Sequence, residues 1–458
     1  MILRPYQREV VIAVLDSIQS NRGLTLSVEI ARQGGKNELS AHLEVILLTL
    51  FMETGGSLVK CSPTFKPQTV ISIARLKERL DEFGYDRIYR TEMGYIICLA
   101  AARAVFLSAE EHASVVGHTA DILLEIDESQ DVSKEKYTKE FRPMGSSTNV
   151  TTVHYGTTWD DSTLLEEVKQ LNLEMEKKDG IKRHFRYDWQ EVARHNPDYQ
   201  AYVEGERARL GEDHPLFRTQ YLLLPIKGGG GFLTRQQILS MLGSHPRLNE
   251  PDEGKTYIAG IDLAGEREET KEEALTASRQ KLDSTVITIA EIDTIQRPTS
   301  TLAELGIKVV EHYQWTGTPH SQLYPLIVQT LRKWKCQKLL VDATGIGQPV
   351  ASFLRKELGS RIVPFTFTQK SKSDMGFELL SFINSGRLRV YQQDGSNEYR
   401  ELLTQLEQAR SQYRPNQTMN FYVDQSEGHD DFLMSLALVA EAARDFSPRS
   451  AKGGLRDD

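Results

Sequence analysis

Apolar and polar positions alternate along the first part of the chain in blocks that are typical of strands and helices. Apolar runs at residues 24–31, 58–62, 122–126 and 149–155 predict strands. Between the first two runs, residues 37–52 carry apolar side chains at helical spacing. A strand followed by a helix and another strand is typical of a largely parallel sheet, so this part of the sequence predicts an α/β domain.

A second α/β pattern follows a change in composition after Pro225. The four consecutive glycines at 228–231 are too flexible for the interior of an element and predict a linker. A highly charged segment within 266–282 predicts a solvated loop or a short surface helix, and the mixed composition of 447–458 predicts a mobile tail. The further strands predicted in this part are residues 257–263, 284–292, 306–313 and 338–342.

Composition supports a chain with two cores. Its 458 residues exceed one ordinary core and fit two domains of roughly 200 residues each. With 39% hydrophobic and 26% charged residues, and no apolar stretch long enough to cross a bilayer, the sequence predicts a globular cytoplasmic protein without a membrane partner. The net charge of −9 argues against nonspecific coating of nucleic acid, but it is compatible with an acidic metal site beside a local basic groove.

A glycine-containing loop at residues 31–37 lies between the first predicted strand and helix. Backbone N–H groups made accessible by Gly34 and Gly35 can cradle phosphate oxygens, while Lys36 neutralises them. The usual phosphate-loop pattern begins with a glycine and ends with a hydroxyl residue, whereas this chain lacks the first glycine and has Asn37 at the end. A plain glycine-rich turn is the alternative interpretation.

Acidic residues at the tip of a later strand supply a second signal. Asp127 and Glu128 directly follow the strand predicted at 122–126. Nucleotide hydrolysis needs an Asp in the metal shell and a group that orients water, so we assign Asp127 to the first role and Glu128 to the second. The alternative is a strand that leads into a helix capped by Asp127. The pattern gives no reason for Glu125 inside the apolar run.

Two further positions extend this candidate site. Thr157 and Thr158 follow the strand predicted at 149–155, where their hydroxyl groups could sense a γ-phosphate. An ordinary Thr-containing turn would have the same sequence. Near the start of the chain, Gln7 could bond the N6 and N7 edge of adenine. A surface helix residue is the alternative for an isolated Gln.

Carboxylates at three places in the second pattern predict a metal site. Asp262 ends the first strand of this part, Asp342 ends the strand predicted at 338–342, and Asp430 with Asp431 opens an apolar helix. Carboxylates that converge from two strand tips and a helix can hold two Mg²⁺ or Mn²⁺ ions about 4 Å apart for phosphodiester cleavage. Each Asp alone has the alternative role of a turn or cap. Together, in this order, they favour a ribonuclease H-like nuclease.

The order of these motifs resembles that of the phage large terminase subunits, and the resemblance covers nearly the whole chain. The segment 32–36 resembles the divergent phosphate loop of that family, 124–128 its acidic strand, and 156–158 its coupling motif. The segments 260–264, 341–343 and 428–431 resemble its three nuclease motifs. The residues that the resemblance assigns to ATP binding are Gln7, Arg32, Gln33, Gly34, Gly35, Lys36, Asn37 and Asp127.

The resemblance also implies a mechanism and partners. Hydrolysis of ATP with Glu128, coupled through Thr157 and Thr158, would drive double-stranded viral DNA into an empty capsid. A two-metal endonuclease would cut the concatemeric DNA with Asp262, Asp342 and Asp431 as catalytic residues and with Asp430 as a further metal ligand. Implied partners are the capsid portal protein, the small terminase subunit and further copies in a ring, in the host cytoplasm. Arg142 is the candidate for a finger that reaches the neighbouring copy.

The predicted fold class is therefore α/β, with an N-terminal P-loop NTPase domain and a C-terminal ribonuclease H-like nuclease domain. We expect a motor domain at 1–190, a lid and linker at 191–255, a nuclease domain at 256–446 and the tail at 447–458. The alternatives are a helicase-nuclease of DNA repair and a nucleotide-binding scaffold without catalysis. A helicase-nuclease would normally need another motor-like domain. The acidic residues at three positions of the second α/β pattern argue against a scaffold without catalysis.

Overall fold

The chain forms two compact units. In this computed structural model, the described residues are 3–110, 112–113, 115–226, 229–264, 284–295, 304–345, 347–414 and 416–446. The predicted charged loop at 266–282 and the predicted tail at 447–458 lie outside them. The first unit comprises Met1–Arg207, Pro215–Gly228 and Pro415–Gln417, and the second comprises Ala208–His214, Gly229–Arg414 and Thr418–Asp458.

An eight-stranded sheet forms the centre of the first unit. Its strands are β1 Thr25–Ile30, β2 Gly56–Ser62, β3 Arg90–Glu92, β4 Ile96–Leu99, β5 Ala102–Ser108, β6 Leu123–Ile126, β7 Thr151–Gly156 and β8 His184–Tyr187. Their spatial order is β3-β4-β5-β2-β6-β7-β1-β8. The six neighbouring strands β5, β2, β6, β7, β1 and β8 are all parallel to one another, which confirms the predicted largely parallel sheet. The antiparallel strands β3 and β4 at one edge are an addition that the sequence pattern did not indicate.

Helices pack against this sheet through apolar side chains at helical spacing. In the second helix, Leu39, Leu43 and Leu47 are fully buried at intervals of four residues, so they form one continuous face toward the core. The helices that begin in this unit are α1 Pro5–Gln19, α2 Lys36–Leu50, α3 Val70–Glu82, α4 Lys134–Lys136, α5 Leu164–Asp179, α6 Trp189–Ala193, α7 Pro197–Leu210 and α8 Pro215–Gln220.

A buried polar cluster explains the carboxylate inside the apolar strand β6. The Ser40 hydroxyl on α2 donates to Glu125 Oε1 at 2.9 Å. On the neighbouring strand β2, Lys60 Nζ donates to Ser40 Oγ at 2.7 Å and to Glu44 Oε1 at 3.0 Å. Burial raises the pKa of Glu125 well above its usual value, with Lys60 opposing the shift and Glu44 adding to it. The cluster therefore connects α2 to the neighbouring strands β2 and β6 through buried hydrogen bonds.

A six-stranded mixed sheet forms the centre of the second unit, with spatial order β14-β13-β10-β11-β12-β15. Strands β10, β11 and β12 are antiparallel neighbours, whereas β13 and β14 run parallel to β10. This arrangement confirms the predicted ribonuclease H-like fold. The strands of the second unit are β9 Gly229–Gly231, β10 Tyr257–Asp262, β11 Ser284–Ile295, β12 Glu304–Thr316, β13 Lys338–Asp342, β14 Ile362–Phe365, β15 Leu388–Val390, β16 Arg410–Tyr413 and β17 Met419–Tyr422.

Helices of the second unit cover this sheet, and none in the described part of the chain is both long and apolar enough to cross a membrane. The last helix, α14, is apolar almost all round because its residues are buried against the sheet and against other helices. The helices of this unit are α9 Arg235–Met241, α10 His320–Trp334, α11 Gly347–Leu358, α12 Gln369–Asn384, α13 Asn397–Gln408 and α14 Asp431–Arg444.

The glycine run corrects one sequence prediction. Gly229–Gly231, predicted to be part of a linker, forms the exposed edge strand β9 of a small antiparallel sheet with order β17-β16-β9. Gly229 pairs with Gln412 and Gly231 with Arg410. Backbone hydrogen bonds to β16 hold the strand, and they need no side chain from the glycines. The expectation that these residues are too flexible for an element was wrong because their strand partner lies far along the chain, whereas the division between the two units does fall within the glycine run.

Candidate active sites

Three strand tips of the first unit come together at one edge of its sheet. Strands β6, β7 and β1 are parallel neighbours, with Ile126 paired to His154 and Val28 paired to Tyr155. The segments that follow these strands therefore emerge side by side. Ligands of open α/β sheets bind at this carboxyl edge.

The loop between β1 and α2 has the backbone of an anion-binding turn. Gly34 N donates to Ala31 O at 2.8 Å, and the Tyr6 hydroxyl donates to Gly34 O at 2.6 Å. Gly35 caps α2 in the left-handed conformation, with φ of 90°. The first N–H groups of a helix have no partner within it, so those at the start of α2 can donate hydrogen bonds to phosphate oxygens.

Gln7 connects this loop to the start of α1 through the two ends of its amide. Its Nε2 donates to Gly35 O at 2.9 Å, and its Oε1 accepts from Arg4 N at 2.8 Å. The Gln7 side chain is almost fully buried. Its observed role is thus support of the loop and of the start of α1, and adenine recognition by Gln7 stays a prediction.

Arg32 is fixed from a later segment of the first unit. Its backbone N–H donates to Gln220 O at 2.8 Å, and its Nη1 donates to Gln220 Oε1 at 2.6 Å. The Tyr199 hydroxyl donates to Arg32 O at 2.8 Å. Gln33 has a positive φ of 61°, and Asn37 is the second residue of α2. Of the residues assigned to ATP binding, those at 32–37 therefore lie in or directly after one loop, Gln7 contacts that loop from α1, and Asp127 follows β6.

Lys36 and Glu128 form an ion pair beneath the loop, with 2.7 Å between Nζ and Oε2. Burial alone would raise the pKa of Glu128, but Lys36, Gln130 and Arg32 outweigh it, so the pKa lies below its usual value. Asp127 is buried beside it and accepts from Glu128 N at 3.0 Å. Burial raises the pKa of Asp127, although Lys60 opposes the shift. The arrangement offers an ionised carboxylate and a lysine at the mouth of an anion-binding loop.

The two threonines after β7 contact different partners. Thr157 N donates to Gln130 Oε1 at 3.2 Å. The Thr158 hydroxyl donates to Glu29 Oε1 on β1 at 2.7 Å, inside the sheet. Lys169 on α5 lies 3.5 Å from the same Glu29 oxygen. Thr158 is therefore bonded to the strand that leads into the phosphate loop, and its coupling role stays a prediction.

In the second unit, two of the predicted carboxylates end adjacent strands. Ile261 on β10 pairs with Val341 on the parallel strand β13, so Asp262 and Asp342 follow them at the same edge of the sheet. Thr344 N donates to Asp342 Oδ1 at 2.8 Å and fixes that side chain at the start of the next turn. Burial raises the pKa of Asp342, and its hydrogen bonds with Thr344 oppose the shift.

Close packing of α14 brings the third carboxylate to this edge. A Cβ atom built on Gly260 of β10 would lie 2.1 Å from Ser435 O, so the helix backbone can approach only a glycine here. Asp431 lies one turn before Ser435, and its Oδ2 accepts from Ser284 N at 3.1 Å. Gln405 Oε1 accepts from two backbone N–H groups at the start of α14, at 2.8 and 3.1 Å. These contacts fix the helix end that carries Asp431.

The acidic residues act on one another electrostatically. Burial raises the pKa of Asp262 well above its usual value, and Asp431, Asp430 and Asp342 raise it further, while Lys372 opposes them. An open pocket of about 580 Å³ adjoins Asp262, Asp430 and Asp431. In the part of the chain that the structure describes, no group of three or more His, Cys, Asp and Glu side chains is placed to hold a metal ion. The oxygen donors nevertheless fit Mg²⁺ or Mn²⁺, because a cation would offset their mutual repulsion.

Comparison with known proteins connects both units to one group of viral proteins. The family described as Terminase RNaseH-like domain matches residues 276–441. The large terminase of a thermophilic bacteriophage, in complex with ADP, is 11% identical, with TM-score 0.54, and 96% of this chain and 99% of that chain are covered. Another crystal form of that protein gives TM-score 0.55 at the same identity and coverage, and its complex with ATP-γ-S gives 0.51. No curated protein sequence matches the chain.

The chain has the fold of phage large terminases, and its residues 276–441 match the terminase RNaseH-like family model. The likeness extends over both units, because nearly the whole of each chain is covered. At 11% identity it establishes the large-terminase fold and leaves the role of each side chain to the geometry.

Several contacts in this large-terminase fold had no signal in the sequence. Gln130 bridges Glu128 and Thr157, and Gln405 caps the helix that carries Asp431. Neither glutamine belongs to a motif, and each contact depends on how distant segments pack. Lys372 on α12 interacts electrostatically with Asp430, Asp262 and Asp342.

Replacement of Gly260 by alanine tests the packing that builds the acidic edge. We expect Gly260→Ala to lower the free energy of unfolding of the second unit by about 3 kcal/mol, because the new methyl group overlaps a helix carbonyl. Thermal denaturation followed by circular dichroism measures the change. Gly205→Ala on α7 is the control, because its Cβ meets open space and alanine favours a helix by about 1 kcal/mol over glycine. Equal stability of both variants would contradict the packing argument.

Proposed function

We propose that this protein is a large terminase subunit that uses ATP hydrolysis to move double-stranded viral DNA into an empty capsid and cuts the concatemeric DNA with a metal-dependent endonuclease. The observation that carries the proposal is the presence of two separate acidic sites in one large-terminase fold. One joins a phosphate loop to Glu128, and the other gathers Asp262, Asp342 and Asp431 at a sheet edge. One chain thus has groups for two phosphate reactions.

In the motor site, the start of α2 and Lys36 bind the phosphates of ATP. Asp127 would help to hold the magnesium ion that accompanies the nucleotide, and Glu128 would orient the attacking water. The ion pair between Lys36 Nζ and Glu128 Oε2 at 2.7 Å supports this assignment. A bound phosphate would compete with Glu128 for Lys36 and would leave the Glu128 carboxylate available to the water. ADP and ATP-γ-S in complexes of the similar thermophilic-phage large terminase support nucleotide binding at a fold of this kind.

In the nuclease site, Asp262, Asp342 and Asp431 would hold Mg²⁺ or Mn²⁺, with Asp430 as a further ligand. Bound metal would supply Lewis-acid stabilisation of the charge that develops on the phosphodiester. The protein contributes the orientation of its carboxylates: Thr344 N fixes Asp342 at 2.8 Å, and Ser284 N fixes Asp431 at 3.1 Å. The adjoining open pocket gives a DNA strand access to Asp262.

The proposal includes an assembly and a division of labour. We assign the motor to residues 1–190, a lid and linker to 191–255 and the nuclease to 256–446. In the host cytoplasm, several copies would form a ring on the capsid portal protein, and the small terminase subunit would deliver the DNA. Arg142, on a short 3₁₀ turn, is the candidate for a finger that enters the neighbouring motor site.

DNA packaging in vitro tests this proposal most directly. Purified chain, small subunit, linear double-stranded DNA and empty capsids that carry the portal are combined with ATP, and DNA protected from added nuclease is measured. We expect protection that requires ATP and both terminase subunits. ATP-dependent unwinding of the duplex without protected DNA would instead identify a helicase-nuclease.

A cation beside the acidic edge gives a further prediction about cleavage. Lys372 lies near Asp262 and Asp342, with its ammonium 5.4 Å from the centre of the Phe421 ring. A lysine there can contact a DNA phosphate that carboxylates alone would repel. We expect Lys372→Met to slow cleavage of plasmid DNA by about 10- to 100-fold, the effect of losing a charged hydrogen bond. Lys370→Met, an exposed lysine on the same helix, should cut at the normal rate, and an equal loss in both variants would contradict the specific contact.

A further inference from the structure

The side chain of Gln130 connects two motifs of the proposed motor site. Its Nε2 donates to Glu128 Oε2 at 2.8 Å and to Asp131 Oδ2 at 3.2 Å. Its Oε1 accepts from Thr157 N at 3.2 Å. Only 4% of the residue is exposed. A buried amide that satisfies partners on both sides fixes their relative position, because each lost hydrogen bond would leave a polar group without its partner.

The end of β7 is shaped to admit this amide. A Cβ atom built on Gly156 would lie 2.1 Å from Gln130 Oε1 and 2.6 Å from Leu165 Cδ2. The last residue of β7 therefore has no side chain at the place where the Gln130 amide lies. Because β6 and β7 are parallel neighbours, with Ile126 paired to His154, the segments that carry Glu128 and Thr157 leave the sheet at the same edge.

We propose that Gln130 is a positioning residue for ATP hydrolysis, which holds the Glu128 carboxylate and couples it to the segment after β7. This inference rests on the proposed motor function. Glu128 Oε2 accepts a hydrogen bond from Gln130 and forms an ion pair with Lys36 Nζ at 2.7 Å. Phosphate binding draws Lys36 toward the anion, and Gln130 is then the donor that keeps the carboxylate oriented toward the attacking water.

The connection continues from Gln130 back to the phosphate loop. Thr157, which donates to Gln130, is followed by Thr158, whose hydroxyl donates to Glu29 at 2.7 Å. Glu29 lies on β1, directly before the loop that precedes Lys36. The hydrogen bonds and the chain thus form a closed path from loop to carboxylate and back. A movement of Lys36 when phosphate binds therefore changes the contacts of Glu128, and the amide of Gln130 passes this change to Thr157 at the end of β7.

The amide of Gln130 performs both halves of this contact. It donates to a carboxylate and accepts from a backbone N–H at the same time. Glutamate at position 130 would keep the acceptor but lose the donor, and it would place a second negative charge beside Glu128. Methionine has nearly the same shape and length but makes neither hydrogen bond. The two substitutions therefore separate the loss of the donor from the loss of the whole contact.

Steady-state ATP hydrolysis of Gln130→Met and Gln130→Glu, together with nucleotide affinity from titration with a fluorescent ATP analogue, tests the inference. We expect kcat to fall by about 10- to 100-fold in both variants, as for other residues that orient a catalytic group. KM and nucleotide affinity should stay within about twofold, because the loop and Lys36 are unchanged. Gln200→Met is the matched control, since Gln200 also donates to a glutamate, Glu204 Oε1, at 2.9 Å but on an exposed helix.

Each outcome has a distinct meaning. Normal kcat in Gln130→Met, or a parallel loss of kcat and nucleotide affinity in both variants, overturns the positioning role. Should Gln130→Met fail to fold, Gln130→Glu decides, because it keeps the polar side chain and the acceptor. The proposed motor function is tested separately by the unmodified protein: if it does not hydrolyse ATP, that function fails, whereas ATP hydrolysis that depends on Glu128 with normal turnover in Gln130→Met overturns only the role of Gln130.

Discussion

Replacement of Glu128 by glutamine is expected to reduce ATP turnover by about 10²- to 10⁴-fold, the usual contribution of a residue that accepts a proton or orients water. The isosteric amide keeps the shape of the side chain but removes the charge. The same change frees Lys36 from its 2.7 Å ion pair, so ATP should bind at least as tightly as before. A colorimetric phosphate assay and an equilibrium nucleotide titration measure the two effects.

A second ion pair of the same length provides the control for this prediction. Lys134 Nζ lies 2.7 Å from Glu167 Oε2, but both side chains are largely exposed. Glu167→Gln should therefore leave ATP turnover unchanged, since exposed pairs contribute little. Metal-dependent cutting of plasmid DNA should be normal in Glu128→Gln. Loss of both activities in folded Glu128→Gln protein would exclude two independent sites.

Replacement of Asp262 by asparagine should abolish DNA cleavage while ATP turnover persists. Loss of a central carboxylate removes several kcal/mol of metal-assisted transition-state stabilisation, so we expect a reduction of roughly 10³-fold or more. Nicking of supercoiled plasmid in the presence of Mg²⁺ or Mn²⁺ is the measurement. Asp293→Asn on β11, whose carboxylate lies 2.8 Å from Lys308 Nζ, is the control and should cut normally. Normal cleavage by Asp262→Asn would reject the carboxylate site.

The same substitution should change stability in a direction set by pH. Burial and three neighbouring carboxylates raise the pKa of Asp262 in the folded chain. An acid with a raised pKa destabilises the folded state once the pH exceeds the unfolded value of about 4, and the penalty grows until the pH passes the raised pKa. With chelator present, Asp262→Asn should therefore melt at a higher temperature than the unmodified protein at pH 8, and this difference should disappear near pH 4. A lower melting temperature at pH 8 would contradict the repulsion.

The sequence predicts those features that depend on local pattern. The apolar runs of β1, β6 and β13 lie where the pattern places them, because strands buried on both faces must be apolar for several consecutive residues. The helix opened by Asp430 and Asp431 is also present, since twelve of its fourteen residues are buried and its apolar character is continuous. The turn between β1 and α2 is predictable because its backbone takes the left-handed conformation at Gly35, which favours glycine.

Features that depend on contacts between distant residues cannot be predicted from pattern. Glu125 is unexplained as a local residue because its partners, Ser40 and Lys60, come from another helix and another strand. Gly229–Gly231 forms a strand only because β16, about 180 residues later, supplies hydrogen bonds. The bridge made by Gln130 requires the register of β6 against β7. In each case the deciding information lies in the three-dimensional neighbour and not in the adjacent sequence.

The close contact between Gly260 and α14 has a consequence for the order in which activities arise during synthesis. Asp262 leaves the ribosome roughly 170 residues before Asp431, which corresponds to about 10 to 30 s at ordinary rates of translation. The helix that packs against Gly260 of β10 is α14, which is made last. By that time, nearly the whole first unit has been translated. A nascent chain therefore completes the loop between β1 and α2 well before it can assemble the acidic edge, so the edge forms only when synthesis is almost finished.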